Sequence, residues 1–293
     1  MVESATMAQK SLADVADVSQ HVGPVMLCGH AEVVEQVRSA LLGAGAGVTA
    51  GVEAYAVRPL RPDDRERLGR AAVVVYGGEV TDTVDDQTRA DLAVVGRIAS
   101  PLLVVLEGAE MPMDASVEAA RVRGVEPGSI LAARRGHFPD RAVLRRIAAR
   151  SGASGPGLAA RLPALRPYVI ERVIETSARR NGMLAAAAFS PRADMPLLTS
   201  TNMRMVLQIG VCHGLDVGVD RAVELIGVLG AGVGLRSTAR GLVGAVPLAG
   251  WVVKGGVAYS GTRALGRSAV EYFERGAVAD VDHLRTLAEQ LRS

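Results

Sequence analysis

A turn that could cradle phosphate is the first chemistry to test, because the apolar run PVMLCG ends at Gly29 and leads into a helix-forming stretch. In the pattern GxxxxGK[ST] the glycines open the backbone to phosphate, the lysine neutralises it and the hydroxyl ligates Mg²⁺. With Gly29 as the first glycine, the second falls on Val34, the lysine on Glu35 and the hydroxyl residue on Gln36. Nothing after the first glycine retains the chemistry, and Glu32 and Glu35 would bring like charge to a phosphate. The pattern GxGxxG/A is met by Gly45-Ala-Gly47-Val-Thr-Ala50. A dinucleotide fingerprint must join a strand to a following helix, whereas this one follows a helix and leads to a strand.

Other candidate groups are isolated. Asp194 lies between Pro191 and Pro196 and reads as an N-cap of a helix from Leu197, since neither a second carboxylate nor a histidine is near in sequence. His213 beside Cys212 reads as a helix-end histidine before the stop at Gly214. Cys28 and Cys212 are far apart and lack metal-ligand spacing, which fits a reduced compartment. No nucleophile–base arrangement can be defended from spacing, so neither catalysis nor a cofactor or metal is expected.

The elements that would position these residues fall into two kinds. Strand signals at Pro24–Gly29, Val48–Val57, Ala71–Gly78, Leu102–Leu106 and Ile130–Ala133 alternate with helical patterns at Ala31–Leu42, Asp82–Ser100, Val117–Val122 and Pro139–Arg150. The segment Arg61–Arg70 reads as a loop with a helical turn. This order predicts a three-layer α/β domain over residues 21–150 with a mainly parallel sheet. A Gly- and Pro-rich linker is expected at 151–165. Beyond it the strand signals stop: helices are predicted at Pro167–Phe189, Leu197–His213, Gly218–Val243 and Leu248–Arg275. They form an all-α bundle over 166–276, and a C-terminal amphipathic helix over 277–293 is capped by Asp280.

The chain has 293 residues, 49% hydrophobic and 22% charged, enough for two domains with their own cores. Aromatic residues are only 3%, so cores must be built from Val, Leu, Ala and Met. A net charge of +2 gives no general attraction to nucleic acid. Residues 1–20 lack the basic-then-apolar order of a signal peptide and read as a flexible leader.

Positions spaced through the second half carry a resemblance. They are Asn181, Ala185 to Ala188, Pro191, Asp194, Pro196, Thr199, Met203 and Gly214, then Pro247, Gly250, Tyr259, Thr262, Gly266, Tyr272, Phe273 and Gly276. The set, about a third of the chain, resembles the uncharacterised helical domain that is joined to Era-like GTPases and occurs in YcjF-type bacterial proteins. Asn202 stands where that family would have Gln. The resemblance implies that the first half is a GTPase-like domain, and LLVVLEGAE is similar to the strand that ends in the guanine-reading Asn-Lys-x-Asp. In those four places stand Glu107, Gly108, Ala109 and Glu110, so only one carboxylate survives. Asp63 and Asp64 follow the second strand without Asp-x-x-Gly. The expectation is a degenerate GTPase fold without GTP chemistry, against an unrelated flavodoxin-like or Rossmann-like domain.

Gly227 to Gly234 includes the spaced pair Gly230 and Gly234. Glycine costs about 0.5–1 kcal/mol against alanine in a helix, so the cluster predicts close helix packing. Charges at Arg236, Arg240 and Lys254 interrupt any apolar run before about 18 residues, which argues against a span. The Arg-rich stretch from Arg134 to Arg180 is read as a solvated face, with contact to anionic lipid or an acidic partner as the alternative. Together these features predict a cytoplasmic scaffold or regulator that meets a protein partner, with peripheral contact to the inner membrane and self-association left open. The alternatives are an atypical nucleotide enzyme and an integral membrane component.

Overall fold

The computed structural model describes residues 22–43, 51–55, 59–80, 84–108, 117, 119–122, 124–187, 191–215 and 250–275. The expected leader, the Gly45–Ala50 pattern, Glu110, the Gly227–Gly234 cluster, the 218–243 helix, Pro247, Gly276 and the C-terminal helix lie outside them. The chain divides into two compact units, Val18–Val169 and a second from Ile170 onward.

The first unit is an α/β domain. Its strands are β1 (Val25–Gly29), β2 (Val52–Tyr55), β3 (Val73–Glu79), β4 (Leu102–Gly108) and β5 (Ile130–Arg134), and its first helix is α1 (Ala31–Leu42). The strand order is β2-β1-β3-β4-β5 and every pairing is parallel, the doubly wound 2-1-3-4-5 arrangement. Continuous Val and Leu runs suit strands covered on both faces. Alternate residues of β1 and β3 therefore serve two cores. Met26, Cys28, Val74 and Tyr76 pack with Leu92 and Val95 of α3 (Asp86–Val95), beside Leu68 of the short α2 (Asp64–Leu68). On the other face α1 and α4 (Asp140–Arg150) pack on β3, with α1 also on β1 and α4 on β4, and bury Val33, Val37, Leu41, Val143 and Ile147. Gly77 permits the close seat of α1, since a Cβ there would lie 2.8 Å from Val33 Cγ1.

The stretch read as a linker, 151–165, is folded. It holds α5 (Gly155–Arg161) and a tight turn at Pro163–Leu165 that contacts α1. Leu158, Leu162 and Leu165 are fully buried, and the Arg161 guanidinium donates to Val22 O at 2.9 Å. The prolines do not break this segment, because Pro156 and Pro163 sit at helix starts, where a missing N–H is harmless. The division between units falls at Val169/Ile170, within α6 (Arg166–Ala187).

The second unit contains the rest of α6, then α7 (Pro191–Cys212) and α8 (Gly250–Glu274). Ile174, Ser177, Ala178 and Asn181 form one buried stripe on α6; Thr262, Leu265, Ala269 and Phe273 form another on α8. Asp194 is not the cap of α7. The helix begins at Pro191, whose fixed φ and absent N–H suit the first helical position, and runs through Asp194. Its other end matches expectation: Gly214 takes φ +78°, Leu215 N–H donates to Gly210 O at 3.1 Å, and His213 stacks on Phe273 with centroids 5.9 Å apart. Among the described residues no helix is long and apolar enough to cross a membrane.

Candidate functional site

In a doubly wound sheet, ligands bind beyond the carboxyl ends of the strands, where the order reverses; here that point lies between β1 and β3. Gly29 closes β1 with φ +109°, and any Cβ would collide with Gly77 O, so the backbones of β1 and β3 meet there. His30 N–H then donates to Gly77 O at 2.7 Å and α1 starts at the next residue. The GxxxxGK[ST] alignment assumed a loop of several residues. The chain has one, His30, because AEVVEQVRSALL lacks glycine and helps bury Val33 and Val34 by becoming helix at once. Glu35 consequently does not face a phosphate position. Its carboxylate is exposed and pairs with Arg38 on α1 at 2.6 Å, a contact that holds it below the usual carboxylate range.

Side chains from the strand ends converge instead on each other. His30 Nε2 lies 2.8 Å from Glu79 Oε2 at the end of β3. Arg135, in the turn after β5, also pairs with Glu79. Arg135 N–H donates to Gly108 O at 2.7 Å, which carries that turn to the tip of β4. Gln36 Nε2 donates at 3.3 Å to both carboxylate oxygens of the buried Glu107. Thus Gln36 and Glu107, two of the residues singled out from sequence, meet at this edge, whereas Glu35 does not. His30, Glu79 and Arg135 were missed. The signal was present in the placement of each polar residue at a strand end.

Asp64 begins α2 and accepts from Arg61 N–H at 2.7 Å. A further acid that the sequence did not mark, Asp91 on α3, is fully buried. It accepts from Leu60 N–H at 2.8 Å, Gln87 Nε2 at 3.0 Å and the Tyr76 hydroxyl at 3.1 Å, tying the β2–β3 connection to the sheet. Among the described residues no group of three His, Cys, Asp or Glu is placed to hold a metal ion.

The second unit has its own polar centre. Asn181 on α6 donates through Nδ2 to Asn202 Oδ1 on α7 at 2.8 Å and to Thr262 Oγ1 on α8 at 2.9 Å. Asn181 is 1% exposed and Thr262 4%, and Asn181 Oδ1 is buried without a hydrogen-bond partner. Asn202, which stands where the resembling family would have Gln, is therefore the third member. Nearby, the Tyr259 hydroxyl donates to Glu175 Oε2 at 2.9 Å. Arg263 bridges Glu175 and Glu171 at 2.8 and 2.9 Å. Hydrogen bonds from Arg179 first, and then from Tyr259, hold the Glu175 carboxyl below its ordinary range.

Glycines let α6 and α8 approach. A Cβ on Gly255 would lie 2.9 Å from Gly182 O, and one on Gly266 2.7 Å from Ile174 Cγ1. Tyr259, Thr262 and Gly266 thus join Asn181 in one helix contact, while Gly250 opens α8. Pro191, Asp194, Pro196 and Thr199 lie on the N-terminal part of α7, and their side-chain contacts fall outside the described residues.

Much of the Arg-rich stretch is engaged internally. Arg146 and Arg150 donate to Gly128 O, Arg150 also to Leu102 O, Arg161 to Val22 O and Arg179 to Glu175. No curated protein matches the chain. Residues 159–293, which include the whole Asn181–Asn202–Thr262 centre, match the family described as Domain of unknown function (DUF697).

Proposed function

We propose that the chain is a non-catalytic scaffold or regulator, in which a GTPase-like α/β domain has lost nucleotide chemistry and a helical domain of the YcjF type makes the interactions. The observation that carries this reading is the carboxyl edge of β1 and β3, where a one-residue turn replaces a phosphate loop and Glu79 is held by His30 and Arg135. A ligand phosphate there would meet the buried Glu107 and a carboxylate already in ion pairs. The fixed polar centre of the helical unit supports a rigid binding module, because the Asn181 amide nitrogen, hydrogen-bonded to two other helices, favours one packing over its alternatives.

On this reading the partner is a protein and the chain acts in the cytoplasm, with the membrane as a peripheral contact. Two assays test it. Incubation with GTP and Mg²⁺ is expected to release phosphate no faster than buffer; turnover that scales with protein would overturn the non-catalytic reading. Washing membranes with salt and then detergent is expected to release the protein in salt, and extraction by detergent alone would favour an integral component.

A further inference from the structure

We propose that His30 and Arg135 form an oxyanion site whose resident anion is the Glu79 carboxylate, and that inorganic phosphate or a phosphate monoester competes with Glu79 for it. The inference rests on the closed edge described above and names what closes it. Three strand ends contribute: His30 follows β1, Glu79 ends β3 and Arg135 follows β5. Two nitrogen donors from separate elements thus converge on one carboxylate at the position where this strand order places ligands. Arginine presents a planar fork that serves carboxylate and phosphate alike.

Three further features fit an exchangeable anion rather than a fixed structural pair. All three side chains are partly open to solvent, at 32% for His30, 28% for Glu79 and 49% for Arg135, so an external anion can reach them. The other ring nitrogen of His30, Nδ1, is buried without a hydrogen-bond partner, so the imidazole makes its described polar contact only through Glu79. Arg135 is also anchored at its backbone by the N–H bond to Gly108 O, independently of Glu79, so the residue stays at this strand end when the carboxylate leaves.

The test uses the full chain and inorganic phosphate as the probe. Glu79→Gln removes the charge and keeps the shape. Phosphate titrations followed by NMR of the histidine ring protons are expected to show E79Q binding at least about tenfold more tightly than the natural chain, equivalent to about 1.4 kcal/mol. Adding Arg135→Ala to E79Q is expected to abolish the gain. Equal affinity in the natural chain and E79Q would overturn the proposal, as would no binding in either or a gain that survives R135A. Glu79→Ala is measured in parallel with the same expectation, and a native circular dichroism spectrum with a cooperative thermal melt reports that each variant is folded. Micromolar GTP binding by the natural chain would defeat the non-catalytic reading without bearing on which residue holds phosphate in E79Q, so the two failures are distinguishable.

Discussion

Asn181 and Thr262 stand 81 residues apart, yet the amide nitrogen of one donates to the hydroxyl of the other at 2.9 Å inside the helical unit. Truncating Asn181 to alanine leaves Thr262 and Asn202 with an unfilled hydrogen-bond position and is expected to cost about 1–3 kcal/mol. In a double-mutant cycle with Thr262→Val the two changes should couple by about 0.5–3 kcal/mol in urea unfolding. Strict additivity would show that the pair does not interact in solution.

The helix contact that brings these residues together depends on particular glycines. Gly255→Ala and Gly266→Ala place a methyl against Gly182 O and Ile174, and overpacking of this kind costs about 1–3 kcal/mol. Gly256 and Gly261 on the same helix have open space, so alanine there should stabilise by about 0.5–1 kcal/mol. Chemical denaturation of the four variants checks the split; four shifts of one sign would contradict it.

Glu175 gives the helical unit a pH signature. Its folded-state carboxyl is lowered from the ordinary 4.5, so its contribution is present above that value and is lost as pH falls through the lowered one. Glu175→Gln should therefore flatten the acid side of the stability curve, below about pH 5, while leaving its neutral shape unchanged. The melting temperature recorded across acid pH measures this, and parallel curves for the two proteins would refute it.

Burial pushes the Cys28 thiol strongly up, with the Asp91 and Asp64 charges adding to the effect, and Cys28 and Cys212 are both fully buried. Neither sulfur should react with an aromatic disulfide reagent in the native protein at pH near 8, and both should react after unfolding. Rapid labelling of a native thiol would place that cysteine at the surface.

Local patterns made the architecture readable and long-range partners left the sites obscure. The continuous β-branched run through Val73, Val74 and Val75 marks a strand covered on both faces, and the helical spacing of Val33, Val37 and Leu41 marks the buried face of α1. The folded segment 151–165 was hidden because proline at a helix start and proline in a linker look identical without Leu158, Leu162 and Leu165 in their packed positions. The same limit applies to chemistry. Glu79 and Arg135 are unremarkable charges until parallel pairing brings the ends of β3, β4 and β5 together. Asn202 lies 21 residues from Asn181, and nothing in the local sequence links the two amides that meet in the fold.

On the function proposed above, the edge between β1 and β3 does not take nucleotide. Titration calorimetry of the purified full chain with GTP and with a non-hydrolysable analogue, with and without Mg²⁺, tests it most directly. The predicted result is no saturable heat up to about millimolar nucleotide, a binding free energy weaker than about −4 kcal/mol. Saturable binding at micromolar nucleotide, enhanced by Mg²⁺, would contradict it.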